Sequence, residues 1–267
     1  MTIETPKLTI DRIRQYLTEG KRFDGRKLDE FRKLEIEFGV SNKAEGSARV
    51  KLGETEVIVG VKMDVGTPYP DSPDKGNLMV TAELLPLSSP RIDLGPPKFE
   101  AIEIGRVVDR GLRESHFIEF DKLCMEEGKK VWTIYVDIYT INDDGNLLDA
   151  AGIGAIAALK VAEIPKYDKE NEKVLFGESS GKKVPLSKEI PISITAYKIG
   201  NEVVVDPTRE EQDAAETKIT TGITNGIIAS MQKGESEDID LETFEKMIDL
   251  SEKTWHDLNK KIEKFLK

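Results

Sequence analysis

The residues best suited to chemistry lie at four places in the chain. Arg106, Arg110 and Arg113 follow one another at helical spacing. At about 100° per residue they fall within about 60° of one another on a helix surface. Guanidinium groups so placed suit successive phosphates, which they bind with charge-assisted, forked hydrogen bonds. A second reading is a solvated face, with Glu103 and Glu114 pairing Arg106 and Arg110 at i+3 and i+4 spacing. Asp206, Glu210, Glu211, Asp213 and Glu216 form an acidic cluster of the type that can hold a magnesium ion, although composition alone favours a solvated acidic segment.

Gly152-Ile153-Gly154-Ala155-Ile156-Ala157 matches a dinucleotide fingerprint. That motif requires a strand running straight into its glycines. Here residues 144–151 intervene, and close packing of a buried helix accounts better for the small residues. The stretch 177–183 looks like a phosphate loop, but it is a residue short and no Ser or Thr follows the lysine, so a flexible loop is expected. Ser115 and His116 are adjacent, so their side chains diverge and do not form a nucleophile–base pair. Cys124 reads as a small core residue.

These groups must be positioned by elements legible in the periodicity. A short amphipathic helix is expected over 9–19, with Thr9 or a neighbour capping it. Apolar alternation from Ala48 to Val65, interrupted by Gly53-Glu54, describes a long β-hairpin. Another strand is expected from Asn77, then a Pro-rich loop over 86–97 and a helix over 102–115 whose stripe is Ile104, Val107, Val108, Gly111 and Leu112. Trp132, Ile134, Val136 and Ile138 line one face of a further strand, and 150–162 is apolar almost all round, as a helix buried between layers would be. The polar stretch 166–183 reads as a linker. Hairpins turn at Gly200-Asn201 and Asn225-Gly226, and one long amphipathic helix runs from Leu241 to Phe265. Alternating hairpins and helices give an α+β fold. Its expected parts are an N-terminal helix and connector over 1–27, a first lobe over 28–165, and a second lobe over 190–267 with the C-terminal helix.

Composition narrows the function. The chain has 267 residues and a net charge of −11, which argues against nucleic acid wrapped over the whole surface and confines any such contact to a local patch. No apolar run reaches the ~18 residues of a membrane span, and no signal pattern opens the sequence. One cysteine and two histidines leave neither a disulfide framework nor a zinc site to be built. An acidic cytoplasmic protein without cofactor, metal or membrane partner is expected.

Several segments together resemble the RNase PH family of phosphorolytic exoribonucleases. Arg22-Phe23-Asp24-Gly25-Arg26 is similar to the family's Arg-x-Asp-Gly-Arg opening. Residues 103–113 resemble its arginine-bearing helix, and 144–158 and 206–221 match its two active-site segments in position. The likeness covers almost the whole chain. It implies an RNase PH-like fold (ribosomal protein S5 domain 2-like) of two β-α lobes with mixed sheets, assembled into six-membered rings.

The departures matter as much. Where active members carry a Gly-Ser/Thr-Arg turn for inorganic phosphate, this chain has Asn146, Leu147 and Leu148. Where they carry two aspartates, it has Gln212 and Lys218. No catalytic residue is therefore assigned. The resemblance extends to a non-catalytic branch of the family. It implies a ring shared with a catalytic RNase PH-like sister subunit, three of each, capped by RNA-binding subunits, with Arg106, Arg110 and Arg113 as RNA contacts in 3′-to-5′ RNA degradation. Two other classes stay open, an active phosphate-dependent exoribonuclease or nucleotidyltransferase and a scaffold with no RNA contact.

Overall fold

The computed structural model describes residues 5–266; residues 1–4, at the start of the expected N-terminal segment, and residue 267 lie outside it. In chain order the elements are α1 (Lys7–Thr18), β1 (Leu34–Phe38), β2 (Gly46–Leu52), β3 (Thr55–Gly66), β4 (Asn77–Glu83), α2 (Phe99–Glu114), β5 (Cys124–Glu126), β6 (Lys130–Asn142) and α3 (Leu147–Val161). They continue with β7 (Glu163–Asp168), β8 (Lys173–Lys183), β9 (Ile192–Ile199), β10 (Glu202–Val205), α4 (Arg209–Asp213), β11 (Thr217–Thr224), β12 (Ile227–Gly234) and α5 (Leu241–Phe265).

Alternation decides the first sheet. Val57, Val59, Val61 and Met63 point one way from β3, and Ile134, Val136 and Ile138 do the same from β6, so both strands bury one face. The sheet runs β1-β2-β3-β6-β4, with β5 on the far end of β6. Its strands are antiparallel except for β4, which lies parallel to β6 and is reached through no hairpin. The second sheet, β10-β9-β11-β12, is antiparallel throughout. Asn225 and Gly226 both take positive φ (49° and 75°), the left-handed pair that a two-residue hairpin turn needs.

Between the sheets lies α3, against β2 and β3 on one side and β9 on the other. Every residue from Leu147 to Leu159 is buried, which is why the segment carries no polar face. The small residues of 152–157 serve that packing. A Cβ on Gly154 would meet Val59 Cγ2 at 2.6 Å, and one on Gly152 would find its nearest neighbour, in Ser193, at 3.6 Å. One apolar cluster runs through both sheets and the last helix, joining Val59, Ile134, Ile153, Ile194, Ile223 and Trp255.

Four expectations need correction. The stretch 166–183 is not a linker, because β7 and β8 pair within it as a two-stranded ribbon. Most of β8 is exposed, so its side chains show no alternation to read. The phosphate-loop-like stretch 177–183 belongs to that strand and is not a flexible loop. Helix α1 begins at Lys7 behind Pro6, and Thr9 sits in its first turn without capping it. Cys124 is half-buried at the start of β5 and is not a core residue. In α5 the buried stripe runs from Met247 to Ile262, while Leu241 and Phe265 at its ends are exposed.

The contrast between the two glycines is testable. Gly154→Ala should lower stability by about 1–3 kcal/mol, the usual cost of overpacking. Gly152→Ala should be neutral or stabilising by up to ~1 kcal/mol, since alanine is the better helix former. Urea denaturation of both variants measures the difference.

Candidate functional site

The connector after α1 folds onto the segment after β10. Arg22 is buried, and its guanidinium makes a forked pair with Glu211 while donating to the carbonyls of Val205 (3.1 Å) and Asp206 (2.8 Å). Asp206 is wholly buried with φ 47°, an uncommon backbone state for a residue other than glycine. Its carboxylate accepts from Arg32 Nη2 (2.7 Å), Arg32 Nε (3.0 Å), the Arg32 amide (2.7 Å), Arg26 Nη1 (3.1 Å) and Asn146 Nδ2 (2.9 Å). Burial alone would pull Arg32 down. The Asp206 carboxylate outweighs it and holds the guanidinium above its ordinary range. Arg32 also reaches Asp144 and the Gly145 carbonyl, so one side chain ties the two segments singled out by sequence.

The turn before α3 closes against the start of α4. Gly145, at φ 82°, has no room for a Cβ, which would meet the Pro207 carbonyl oxygen at 2.7 Å. Asn146 occupies the N-cap position in left-handed conformation; its amide donates to Gln212 Oε1 at 2.9 Å, and its side chain bridges Asp206 and Asp149. Leu147 and Leu148 are buried. The backbone donor at this helix start is thus met by an amide oxygen of the chain itself.

The acidic cluster is spent on arginines. Besides Asp206 and Glu211, Asp213 pairs with Arg91 at 2.7 Å and Glu216 with Arg14 at 2.8 Å, while Glu210 is exposed. No group of three metal-ligating side chains occurs among the described residues. Lys218, at the second of the two departed aspartate positions, reaches across to Glu103 of α2 at 2.9 Å, with both side chains buried.

That pair borders the groove on which the arginines converge. Arg106, Arg110 and Arg113 all line a cleft of about 470 Å³ beside α2, together with Phe99, Val80 and Gln232. The helix presents them there because its apolar stripe, from Ile104 to Leu112, is committed to the core. Neither intrahelical pair expected from spacing forms. Glu103 has gone to Lys218, and Arg110 donates to the Met231 carbonyl at 3.5 Å and not to Glu114. Of the three, Arg113 alone has a carboxylate partner among the described residues, Asp109 at 2.9 Å, and it also meets the Leu78 carbonyl and the Phe120 ring 5.6 Å away. The cleft can therefore offer Arg106 and Arg110 to a polyanion. Sequence reasoning missed the Arg22–Glu211 pair, the Asp206 hub and the Lys218–Glu103 pair; each joins segments too far apart in sequence for spacing to reveal.

A chain with this architecture and these two closed segments can be placed among known proteins. Residues 30–165 match the model for the 3′ exoribonuclease family, domain 1, and residues 189–254 match that for its domain 2. The chain belongs to this RNase PH family. It is 46% identical over 255 residues to exosome complex component Rrp42 of Methanocella arvoryzae, covering 95% of each chain. It is 48% identical to the Rrp42 component of Thermococcus onnurineus, over 90% of this chain and 89% of that one. A chain of the Archaeoglobus fulgidus exosome, solved with RNA bound to the active site, superposes with a TM-score of 0.85 at 43% identity, covering 95% of this chain and 97% of the other. No described helix is long and apolar enough to cross a membrane.

Asp149 offers a pH test of the buried network. Burial pushes its carboxyl up to about 7, against an ordinary 3.8, despite hydrogen bonds from Thr195 and Asn146. The folded chain thus holds a proton that the unfolded chain has released between about pH 4 and pH 7, so stability should fall as pH rises through that window and level off above it. Asp149→Asn should flatten this slope, since an amide can accept from the Thr195 amide and donate to its hydroxyl. Melting temperatures of both proteins from about pH 4.5 to 8 check it.

Proposed function

We propose that this chain is the non-catalytic RNase PH-like subunit of an archaeal exosome ring. It shapes the active site of a catalytic sister subunit and contributes RNA contacts in 3′-to-5′ RNA degradation. The sister subunit alternates with it, three of each in a six-membered ring, beneath RNA-binding cap subunits, in the cytoplasm. The observation that carries the reading is the closure of the site where active relatives of the resembled family hold phosphate. Asn146 turns its amide to Gln212, Leu147 and Leu148 are buried, and Lys218 stands where a carboxylate would be needed. Each missing electrostatic group costs on the order of 10²–10³ in rate, and here several are missing together.

The RNA role assigned to Arg106, Arg110 and Arg113 is supported by their convergence on one groove and by the freedom of the first two from carboxylate partners among the described residues. Guanidinium–phosphate contacts carry no base information, so the groove should guide any sequence. Arg113, already held by Asp109, contributes less charge and more shape. Two of the three thus serve as phosphate clamps.

The pure chain should release no nucleoside diphosphates from RNA in phosphate buffer. Mixed with the catalytic sister it should give a complex of six subunits by native mass spectrometry, with activity appearing in that complex. Release by the chain alone would restore the reading as an active nuclease. Arg110→Glu, in the assembled ring, should weaken RNA binding and lower its salt slope by about 0.7 for each phosphate no longer neutralised, leaving the ring intact. An unchanged slope would make this subunit a scaffold without RNA contact.

A further inference from the structure

We propose that Lys218 is a positioning residue for RNA contact: it neutralises Glu103 and so keeps Arg106 available to phosphate. This rests on the RNA role proposed for α2. Glu103 lines the same groove as both arginines and lies one turn before Arg106, in the favourable order of acid before base for a pair along a helix. Left to itself, a carboxylate so placed would take Arg106 as its partner and remove it from the groove. The structure sends Glu103 elsewhere. Its side chain is only 8% exposed and accepts from Lys218 Nζ at 2.9 Å.

Lys218 reaches that position because of its neighbour in the sheet. Gly234 lies opposite it in the β11–β12 register, and a Cβ there would meet Lys218 Cγ at 2.9 Å and Cδ at 3.1 Å. The lysine stem lies over the bare glycine and delivers its ammonium to α2. Glu235, more exposed, stands 3.8 Å away as a second and weaker partner. The remaining carboxylates at the groove leave the two arginines alone, since Asp109 is held by Arg113 and Glu114 pairs with neither. The lysine that departs from the family's catalytic pattern therefore acquires a use of its own. It shields Arg106 from an acid on its own helix.

The test uses rings assembled with the wild-type sister subunit and a fluorescent single-stranded RNA oligonucleotide, with affinity measured against salt concentration. Lys218→Met should weaken binding and lower the salt slope by about 0.7, as Arg106 is diverted to Glu103. Lys218→Arg should behave as wild type, and the double variant Lys218→Met with Glu103→Gln should recover the slope, because no acid remains to divert Arg106. If the methionine variant does not assemble, Lys218→Gln, which keeps a donor to Glu103 without the charge, carries the same comparison. A wild-type slope in Lys218→Met or Lys218→Gln overturns the proposal, as does a reduced slope that the double variant fails to recover. A merely structural pair would change melting temperature and leave the slope alone. Should Arg110→Glu lower the slope while Lys218→Met does not, the shielding role falls and the RNA role stands. Should Arg110→Glu also leave it unchanged, the RNA role itself falls.

Discussion

A single carboxylate, that of Asp206, holds together three parts of this protein that are far apart in sequence. It receives Arg26 and Arg32 from the connector side and Asn146 from the start of α3, while standing at the end of the second sheet. A buried charge survives only if its lone pairs are met, and removing one partner from such a set typically costs about 3–5 kcal/mol. That constraint orders what surrounds it. The same network that satisfies Asp206 fixes the left-handed backbone of residues 146 and 206, presses Gly145 against Pro207, and brings Gln212 to the amide of Asn146. The closed turn before α3 follows from the satisfaction of one ion.

The protein uses its other ion pairs very differently. Arg113 and Asp109 are half-exposed, and such a pair along a helix contributes a few tenths of a kcal/mol, about 0.3–0.5. Lys218 and Glu103 are both buried, where neither can be left alone without a large penalty. The pair that matters for the groove is therefore the one linking α2 to β11, not the one visible along the helix. Lysine has the opposite charge to the aspartate that the family resemblance implies at this position, and here it ties β11 to α2.

Much of this was open to reading along the chain. Alternation at Val57–Val65 and Trp132–Ile138, the all-round apolarity of α3 and the Asn225-Gly226 turn are local signals, and the elements stand where they point. The arginine face of α2 was legible for the same reason. What escaped is non-local or solvated. The ribbon of β7 and β8 has little buried face and thus no period. Glu103 pairs with a lysine 115 residues away, although a nearer arginine stood at helical spacing. Spacing finds the candidates for a pair; burial chooses among them. The departures at Leu147, Leu148, Gln212 and Lys218 could be read only beside the family pattern, since nothing in the residue types alone marks them as departures.

The apolar cluster that runs from Val59 through α3 to Trp255 bears on how such a chain can change over time. The two family domains are separate patterns in sequence, yet they share one interior. Exchanging the second domain with that of a paralogue would bring Ile194, Ile223 and Trp255 replacements to an α3 shaped for other neighbours. Paralogues of this architecture are thus expected to diverge as whole chains, by coordinated substitution across the shared interior, and recombination at the boundary between the domains would be selected against.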